Sequence, residues 1–217
     1  MSGPPPGRIS VVISDFGGVL TSPLIKSFAA VQDRTGIPFE QLGTAMATIE
    51  AEDGAHPLFE LEKGLITEKR FLDRLGDALE PVLGHRPEMH RFGELYFEAL
   101  HPNESMIELM RELKSSGYTM AMLTNNVREW EPRWRSMLPV DEIFELVVDS
   151  AFVGMRKPDA EIYELTLNRL GGPDPGTCLF IDDIEHNVDA ARTLGIHAVH
   201  YRENQQAIAE IRAALDA

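Results

Sequence analysis

The spacing of hydrophobic residues changes twice along the chain. Residues 9–14 form a short run rich in β-branched side chains that ends at two glycines, which predicts a buried strand running into a turn. From residue 22 to residue 100 the apolar positions follow helical spacings, broken by Gly and Pro, and this block predicts four or five helices and no strand. Beyond it, short apolar runs predict strands at 118–123, 144–148, 178–181 and 196–201, and amphipathic segments predict helices at 104–114, 159–170, 187–194 and 205–215.

Strands that alternate with helices are typical of a parallel sheet covered on both faces. We therefore expect an α/β fold, a doubly wound Rossmann-like parallel sheet with an inserted all-helical cap. The expected catalytic core is 9–21 and 101–217, and the expected helical cap is 22–100. Residues 1–8 are rich in Gly and Pro and are expected to form a disordered tail.

Composition narrows the function. The 217 residues include 20 Lys and Arg and 35 Asp and Glu, a formal net charge of −15, which opposes binding to nucleic acids and anionic membranes. The sequence contains neither a stretch apolar enough for a membrane-spanning helix nor an apolar signal core at its start. Cys178 is the single cysteine, so an intramolecular disulfide is excluded and a cytoplasmic location is expected.

Polar residues follow four of the predicted strands, at the sheet edge where parallel sheets place ligands. Three of these residues are carboxylates, which repel one another unless a cation joins them. Mg²⁺ would solve this problem and would also neutralise an incoming phosphate. An aspartate at the first turn is placed to attack phosphorus. The residues are Asp15, Thr124, Asn125, Lys157, Asp182 and Asp183.

At these residues the sequence resembles the haloacid dehalogenase superfamily of hydrolases, with the helical block similar to that family's first cap type. Four motifs in the right order carry the resemblance, which covers about residues 9–21 and 103–201. The run 153–158 with Ile162-Tyr163 is similar to the phosphatase domain of soluble epoxide hydrolases and to small bacterial sugar-phosphate phosphatases. The motifs read Asp15-Phe-Gly-Gly-Val-Leu-Thr21, Leu123-Thr-Asn125, Gly154-Met-Arg-Lys-Pro158 and Phe180-Ile-Asp-Asp-Ile-Glu-His-Asn187.

The resemblance implies an Mg²⁺-dependent phosphatase that acts on a small phosphorylated metabolite through an aspartyl-phosphate. Asp15 would be the nucleophile, and Lys157 and Thr124 would complete the catalytic group. Phosphate would be bound by Thr124, Asn125, Lys157 and Gly18. The metal would be bound by Asp15, the Gly17 carbonyl, Asp183 and Asp182, the last as ligand or supporting partner. Asn187 would position the acidic pair or the ligand.

One position departs from the family pattern. Family phosphatases usually carry a second aspartate two residues after the nucleophile, which protonates the leaving group, and this sequence has Gly17 there. Acid–base help of this kind is worth roughly 10²–10⁴-fold. A leaving group of low pKa, a water molecule or a cap residue could substitute for it, and the candidates on the cap are Glu50, Glu52, Asp53 and His56. Two alternatives therefore stay open: a phosphate-binding regulatory module without turnover, and a 2-haloacid dehalogenase, a class that also lacks the second aspartate but uses no Mg²⁺.

Two further features adjoin the motifs. Trp130 and Trp134 are four residues apart, which predicts a packing stripe on one helix, close to the mouth of the site or to a dimer surface. His186 stands beside the acidic pair and is a candidate neighbour of the site.

Overall fold

The fold is described by a computed structural model that covers residues 8–216. The expected disordered tail, residues 1–8, lies outside the described residues apart from Arg8. Within 8–216, no helix combines the length and the apolar character that crossing a membrane requires.

Five parallel strands form one sheet, in the order β3-β2-β1-β4-β5. The first strand therefore lies in the middle, and successive strands are added first on one side of it and then on the other. This reversal opens a crevice at the carboxyl ends of the central strands. The strands are β1 (Val11–Ser14), β2 (Thr119–Thr124), β3 (Leu146–Asp149), β4 (Cys178–Asp182) and β5 (His197–His200).

The block predicted to hold four or five helices forms five helices between β1 and β2, which confirms the helical insertion. Its longest helix, from Glu68 to Leu83, begins at Thr67, whose side chain accepts a hydrogen bond from the Arg70 amide, and ends at Gly84, where φ is +76°. Both are the residue types that helix ends favour. The helices are α1 (Leu24–Thr35), α2 (Phe39–Asp53), α3 (Pro57–Glu62), α4 (Glu68–Leu83) and α5 (Phe92–Glu98).

The remaining helices cover the two faces of the sheet, which confirms the doubly wound α/β fold. Alternate residues of each strand point to opposite faces. Val12 and Met122 join a core shared with the insertion, whereas Ile13 and Phe180 join the core on the other face. The helices are α6 (Glu104–Ser115), α7 (Glu131–Arg135), α8 (Val140–Ile143), α9 (Ser150–Val153), α10 (Ala160–Arg169), α11 (Glu185–Thr193) and α12 (Asn204–Asp216), with short 3₁₀ turns at Arg128–Trp130 and Pro175–Thr177.

Two local predictions are corrected by the structure. The third strand starts at Leu146 rather than at residue 144, because the Phe144 amide donates to the Val140 carbonyl and closes α8. Trp130 and Trp134 do not share one helix: Trp130 ends a 3₁₀ turn, and Trp134 lies in α7. Trp134 is nevertheless fully buried, with its ring 5.3 Å from that of Phe16.

Candidate active site

The strand register brings the predicted site residues to one edge of the sheet. Ser14, the last residue of β1, pairs with Met122 of β2 and with Ile181 of β4. Asp15 therefore leaves the sheet between the ends of these two neighbouring strands, where Thr124 and Asp182 lie. One carboxylate oxygen from each of Asp15, Asp182 and Asp183 lies within 4.8 Å of the others.

Lys157 is the cation at the centre of this acidic group. Its side chain is 1% exposed, and its Nζ lies 2.7 Å from Asp15 Oδ1 and 2.6 Å from Asp182 Oδ2. A third hydrogen bond, of 2.9 Å, runs from Nζ to the Leu123 carbonyl. Burial by itself lowers the pKa of Lys157, but the charges of Asp15 and Asp182 raise it above its ordinary value, so the ammonium form is held.

Asp182 is the most firmly held of the three carboxylates. It is completely buried, and its second oxygen, Oδ1, accepts hydrogen bonds from the Ile184 amide at 2.8 Å and from Asn187 Nδ2 at 3.0 Å. The structure thus brings Asn187 to the acidic pair. These contacts fix the orientation of Asp182 and leave Asp183, which is less buried, as the acid with fewer protein partners.

Burial raises the pKa of the two other carboxylates of the cluster, Asp15 and Asp183. Desolvation raises the pKa of Asp15 to about 8, with Lys157 acting in the opposite direction and the two other aspartates adding to the rise. Desolvation and the neighbouring Asp182 raise the pKa of Asp183 to about 6. Three carboxylates and one ammonium leave net negative charge in a poorly hydrated site. Carboxylate oxygens are ligands that a hard divalent cation prefers, so this cluster fits such an ion.

The two glycines after Asp15 shape the space beside it. Gly18 has a φ of +79°, and a Cβ atom at this position would collide with the Asp183 carboxylate, so only glycine suits the turn. Its amide donates to Thr21 Oγ1 at 2.9 Å. Gly17 lacks such backbone strain, and a Cβ built on it would lie 3.2 Å from a methyl carbon of Leu24.

Thr124 and Asn125 stand at the end of β2, and their surroundings differ. Thr124 is buried, with its hydroxyl 3.5 Å from the Asn125 carbonyl, at the outer limit of a hydrogen bond. The Asn125 side chain donates to the Lys157 carbonyl at 2.9 Å and accepts from the Lys157 amide at 2.8 Å. The Asn125 side chain therefore hydrogen-bonds to both the amide and the carbonyl of Lys157 and fixes its backbone.

The helical insertion meets the core beside this cluster at two contacts. At the first, the end of α3 docks on the loop before Lys157: Arg156 Nε donates to Glu62 Oε2 at 2.7 Å, and the Arg156 guanidinium lies 3.9 Å from the Phe59 ring centre. Ser150 Oγ also donates to the Glu62 carbonyl at 2.6 Å. Burial raises the pKa of Glu62, while Arg156 opposes this rise.

At the second contact, aromatic rings join the insertion to the segment after β2. Trp130 stacks on Tyr96 of α5 with ring centres 5.0 Å apart, and its indole nitrogen donates to Glu68 Oε1 at 2.7 Å. Gly93 lies against this hydrogen bond, where a Cβ atom would come within 2.8 Å of both partner atoms. The Trp130 segment therefore contacts the helical insertion, and its expected position at the mouth of the site stays a prediction.

The acidic candidates named from the sequence lie elsewhere on the insertion. Glu52 and Asp53 pair with Arg74 on the surface, and Glu50 is exposed. His56 is partly buried and stacks on Phe59 with ring centres 4.2 Å apart, and its Nδ1 has no hydrogen-bond partner among residues 8–216.

Other residues approach the site without a sequence signal that marks them. Glu62 and Tyr96 meet the core only through contacts distant in sequence, and the helical pattern does not distinguish them from their neighbours. His200 is a third such residue, with Nε2 3.1 Å from the Asp183 carbonyl. His186, the neighbour expected from the sequence, is exposed.

A doubly wound sheet, a helical insertion after its first strand and a lysine among three aspartates define the class of haloacid dehalogenase-like proteins. Residues 9–195 match the haloacid dehalogenase-like hydrolase family, and the chain belongs to that family. This membership confirms the predicted superfamily.

Sequence similarity to named proteins agrees with membership of this family. The chain is 29% identical over 207 residues to acyl-CoA dehydrogenase family member 10 of Mus musculus, covering 94% of this chain and 19% of that protein. It is 24% identical over 215 residues to bifunctional epoxide hydrolase 2 of Rattus norvegicus, covering 94% and 38%. It is 29% identical over 198 residues to phosphatase MT3486 of Mycobacterium tuberculosis, covering 88% and 86%. The chain thus spans well under half the length of the first two.

Solved structures share the fold at lower identity. The haloacid dehalogenase family enzyme BT-2542 of Bacteroides thetaiotaomicron, in complex with magnesium and inorganic phosphate, matches with a TM-score of 0.66 at 23% identity, covering 89% of this chain and 94% of that one. L-2-haloacid dehalogenase of Xanthobacter autotrophicus matches with a TM-score of 0.64 at 19% identity, covering 95% and 83%. Both likenesses concern the fold.

Proposed function

We propose that this protein is an Mg²⁺-dependent phosphatase that hydrolyses a small phosphate monoester through an aspartyl-phosphate on Asp15. The observation that carries the proposal is the buried cluster in which Lys157 holds Asp15 and Asp182 at the switch point of the sheet. Family membership, the mycobacterial relative named as a phosphatase and the neighbour bound to magnesium and phosphate support it.

In this proposal Asp15 is the nucleophile. Lys157 occupies one of its carboxylate oxygens, which fixes the side chain and leaves the other oxygen to attack phosphorus. The ammonium of Lys157 and the hydroxyl of Thr124 offset negative charge on the phosphoryl oxygens. Asn125 contributes by holding the backbone of Lys157, and Gly18 by leaving room for Asp183.

The same cluster would hold the metal ion. Asp15, Asp183 and the Gly17 carbonyl are the proposed ligands, with Asp182 as a further ligand or supporting partner that Asn187 orients. When bound, Mg²⁺ neutralises the phosphate and the surplus of carboxylate charge.

We also propose that the core and the cap have separate roles. Residues 9–21 and 101–217 would form the catalytic core, and residues 22–100 the cap that covers a small phosphorylated metabolite and excludes bulk water. A cytoplasmic location is proposed with it, on the grounds of one buried free cysteine, Cys178, and a strongly acidic chain.

Turnover of a panel of phosphate monoesters tests this function. The wild-type protein with Mg²⁺ is expected to release phosphate from at least one substrate, and Asp15→Asn or excess EDTA is expected to abolish the release. Asp33→Asn, which changes an exposed aspartate of α1, is the matched control and should keep full activity. Binding of a phosphate ester without turnover would instead favour a regulatory module, and halide release from 2-haloacids in EDTA would favour a dehalogenase.

A further inference from the structure

The two connections between the helical insertion and the core run side by side. Thr21 pairs with Pro102 in an antiparallel bridge, and the Ser22 amide donates to the His101 carbonyl at 2.7 Å. Asn103 follows directly, as the residue before α6. Asparagine at this position usually caps the helix, yet the Asn103 side chain makes no capping hydrogen bond among the described residues. Its polar atoms are used in other contacts.

The first of these contacts is with the loop that carries the nucleophile, residues 15–20, here called the nucleophile loop. Asn103 Nδ2 donates to the Val19 carbonyl at 2.8 Å, and the Asn103 amide donates to the Leu20 carbonyl at 2.9 Å. Val19 and Leu20 are completely buried, so bulk water cannot replace a lost bond at these carbonyls. Any residue except proline could supply the bond to Leu20, whereas the bond to Val19 needs a side-chain donor.

A second asparagine holds the Asn103 side chain in this orientation. Asn103 Nδ2 donates to Asn204 Oδ1 at 2.8 Å, and Asn204 Nδ2 donates to Asn103 Oδ1 at 3.0 Å. The Tyr201 hydroxyl accepts from Asn103 at 3.0 Å and donates to Asn204 at 2.8 Å. The Tyr201 amide in turn donates to the Asp182 carbonyl at 2.9 Å. This network therefore connects the nucleophile loop with the strand that ends in Asp182.

The nucleophile loop is thus held at both ends. At its start, the Asp15 amide donates to the Ile181 carbonyl of β4 at 2.8 Å. At its end, the two bonds from Asn103 hold it. Between these points, the Leu20 amide donates to the Phe16 carbonyl at 2.9 Å and closes a single turn. The glycine carbonyl that is a proposed metal ligand belongs to this turn, so its direction depends on both attachments.

We propose that Asn103 is a positioning residue, which fixes the nucleophile loop so that the Asp15 carboxylate and the Gly17 carbonyl present a constant geometry to the metal ion and the phosphate. The inference rests on the proposed phosphatase function. Asn103 acts only through the loop that it holds. Because this loop is attached to the core at Asn103 and β4, a movement of the insertion on its connections leaves the nucleophile in place.

Two equal substitutions separate this role from general packing. Asn103→Asp and Asn204→Asp each add one negative charge to the same pair of side chains, but only the first removes the donor to the Val19 carbonyl. With p-nitrophenyl phosphate as substrate, Asn103→Asp is expected to lower kcat on the order of 10-fold, less than the roughly 10²-fold that a misplacement of about 1 Å can cost. KM should stay nearly the same, and Asn204→Asp should keep most of the wild-type kcat.

Binding of Mg²⁺ alone gives a readout that needs no turnover. In isothermal titration calorimetry, Asn103→Asp should bind Mg²⁺ several-fold more weakly than Asn204→Asp does, although both variants carry the same added charge. Asn168→Asp, which changes an exposed residue of α10, is the control for that charge. A merely structural role would lower the free energy of unfolding but would change neither the kcat nor the Mg²⁺ affinity of the folded protein.

The outcomes distinguish the inference from the function on which it rests. Equal Mg²⁺ affinity of the two aspartate variants, or equal kcat, overturns the inference alone. If wild-type protein has no phosphatase activity but the variants differ in Mg²⁺ affinity as expected, the proposed function fails and the positioning role is supported. Wild-type protein that neither binds Mg²⁺ nor turns over overturns both. Should Asn103→Asp not fold, Asn103→Ala and Asn204→Ala give the same comparison without an added charge.

Discussion

At the scale of single residues, the site is a balance of buried charges centred on one lysine. Lys157 contacts two carboxylates and a carbonyl, which accounts for all three of its protons. Its neighbours in turn hold it, because Asn125 fixes its backbone. A buried ion pair of this kind is costly to break from one side, since the remaining charges stay in a low-dielectric setting.

Loss of the lysine should therefore destabilise the whole chain. Lys157→Met keeps most of the volume but leaves Asp15 and Asp182 without their cation, and we expect the free energy of unfolding in metal-free buffer to fall by roughly 3–5 kcal/mol. Urea unfolding measures this. Lys69→Met, which removes an exposed surface pair with Asp73, is the control. Equal stability of the two variants would contradict the account.

Gly17 offers the complementary test by gain of a group. Since its backbone accepts any residue and Leu24 is the neighbour to be displaced, Gly17→Asp is expected to fold and to raise kcat for alkyl phosphates up to about 10²-fold. Gly17→Asn has the same shape without an acid and should give no gain. A rise in both variants, or a rise in neither, would count against a missing proton donor.

Asp149 predicts a pH dependence of stability. Burial raises its pKa from 3.8 to about 6, although the Ala151 amide that it caps lowers it. Between these two values the unfolded chain gives up the proton and the folded chain keeps it, so stability falls as pH rises from about 4 to 6 and stays lower above that.

Asp149→Asn keeps the cap and removes this titration. We expect the free energy of unfolding of the variant to exceed that of the wild-type protein by up to about 3 kcal/mol at neutral pH. The fall in stability with rising pH that Asp149 causes should be absent from the variant. Thermal unfolding at several pH values measures both, with the exposed turn residue Asp174 replaced by Asn as control. If the stabilities of the wild-type protein and of Asp149→Asn changed in parallel at all pH values, this prediction would be contradicted.

The sequence motifs predicted the residues that form the acidic cluster and its surroundings. Asp15, Thr124 and Asp182 stand at the ends of neighbouring parallel strands, and Lys157 reaches Asp15 and Asp182 from the loop after α9. Glu62 and Tyr96 could not be found in this way, since their contacts join helices of the insertion to core loops far along the chain. Only packing decides which face of an amphipathic helix meets which loop.

At the scale of elements, the helical insertion shares a hydrophobic core with the sheet and makes two further contacts with the loops after the strands. The end of α3 uses charge, through Glu62 and Arg156, and α5 uses aromatic packing, through Tyr96 and Trp130. Helical spacing predicted four or five helices without a strand in the insertion, and the structure has five helices there. The tryptophan pair was predicted on one helix and lies on two elements, because a new helix with Pro132 in its first turn begins at Glu131 after the 3₁₀ turn.

The charged contact should control how firmly the insertion is held. Glu62→Gln keeps the size of the side chain but loses the charge that pairs with Arg156, in a place where both side chains are about 15% exposed. We expect faster limited proteolysis of the connections near residues 22 and 101, and a higher KM. Lys69→Gln removes the exposed Lys69–Asp73 pair and should leave both unchanged. Unaltered proteolysis of Glu62→Gln would show that aromatic packing suffices.

At the scale of the whole molecule, strand order makes the site. Placing β1 at the centre of a parallel sheet brings the ends of β1, β2 and β4 together. The alternation of strands and helices predicted this architecture, since each unit has a readable pattern. The meeting of core and insertion depends on side-chain packing and on charge, and it emerges only in the folded chain.

The central claim is that Asp15 becomes phosphorylated during turnover. The most direct measurement is rapid quenching of the protein with Mg²⁺ and a substrate that it hydrolyses, followed by intact mass and peptide mapping. The account predicts a transient gain of one phosphoryl group located on Asp15, absent from Asp15→Asn and in EDTA. Steady turnover with no phosphorylated protein at any quench time, or with the phosphoryl group on another residue, would contradict it.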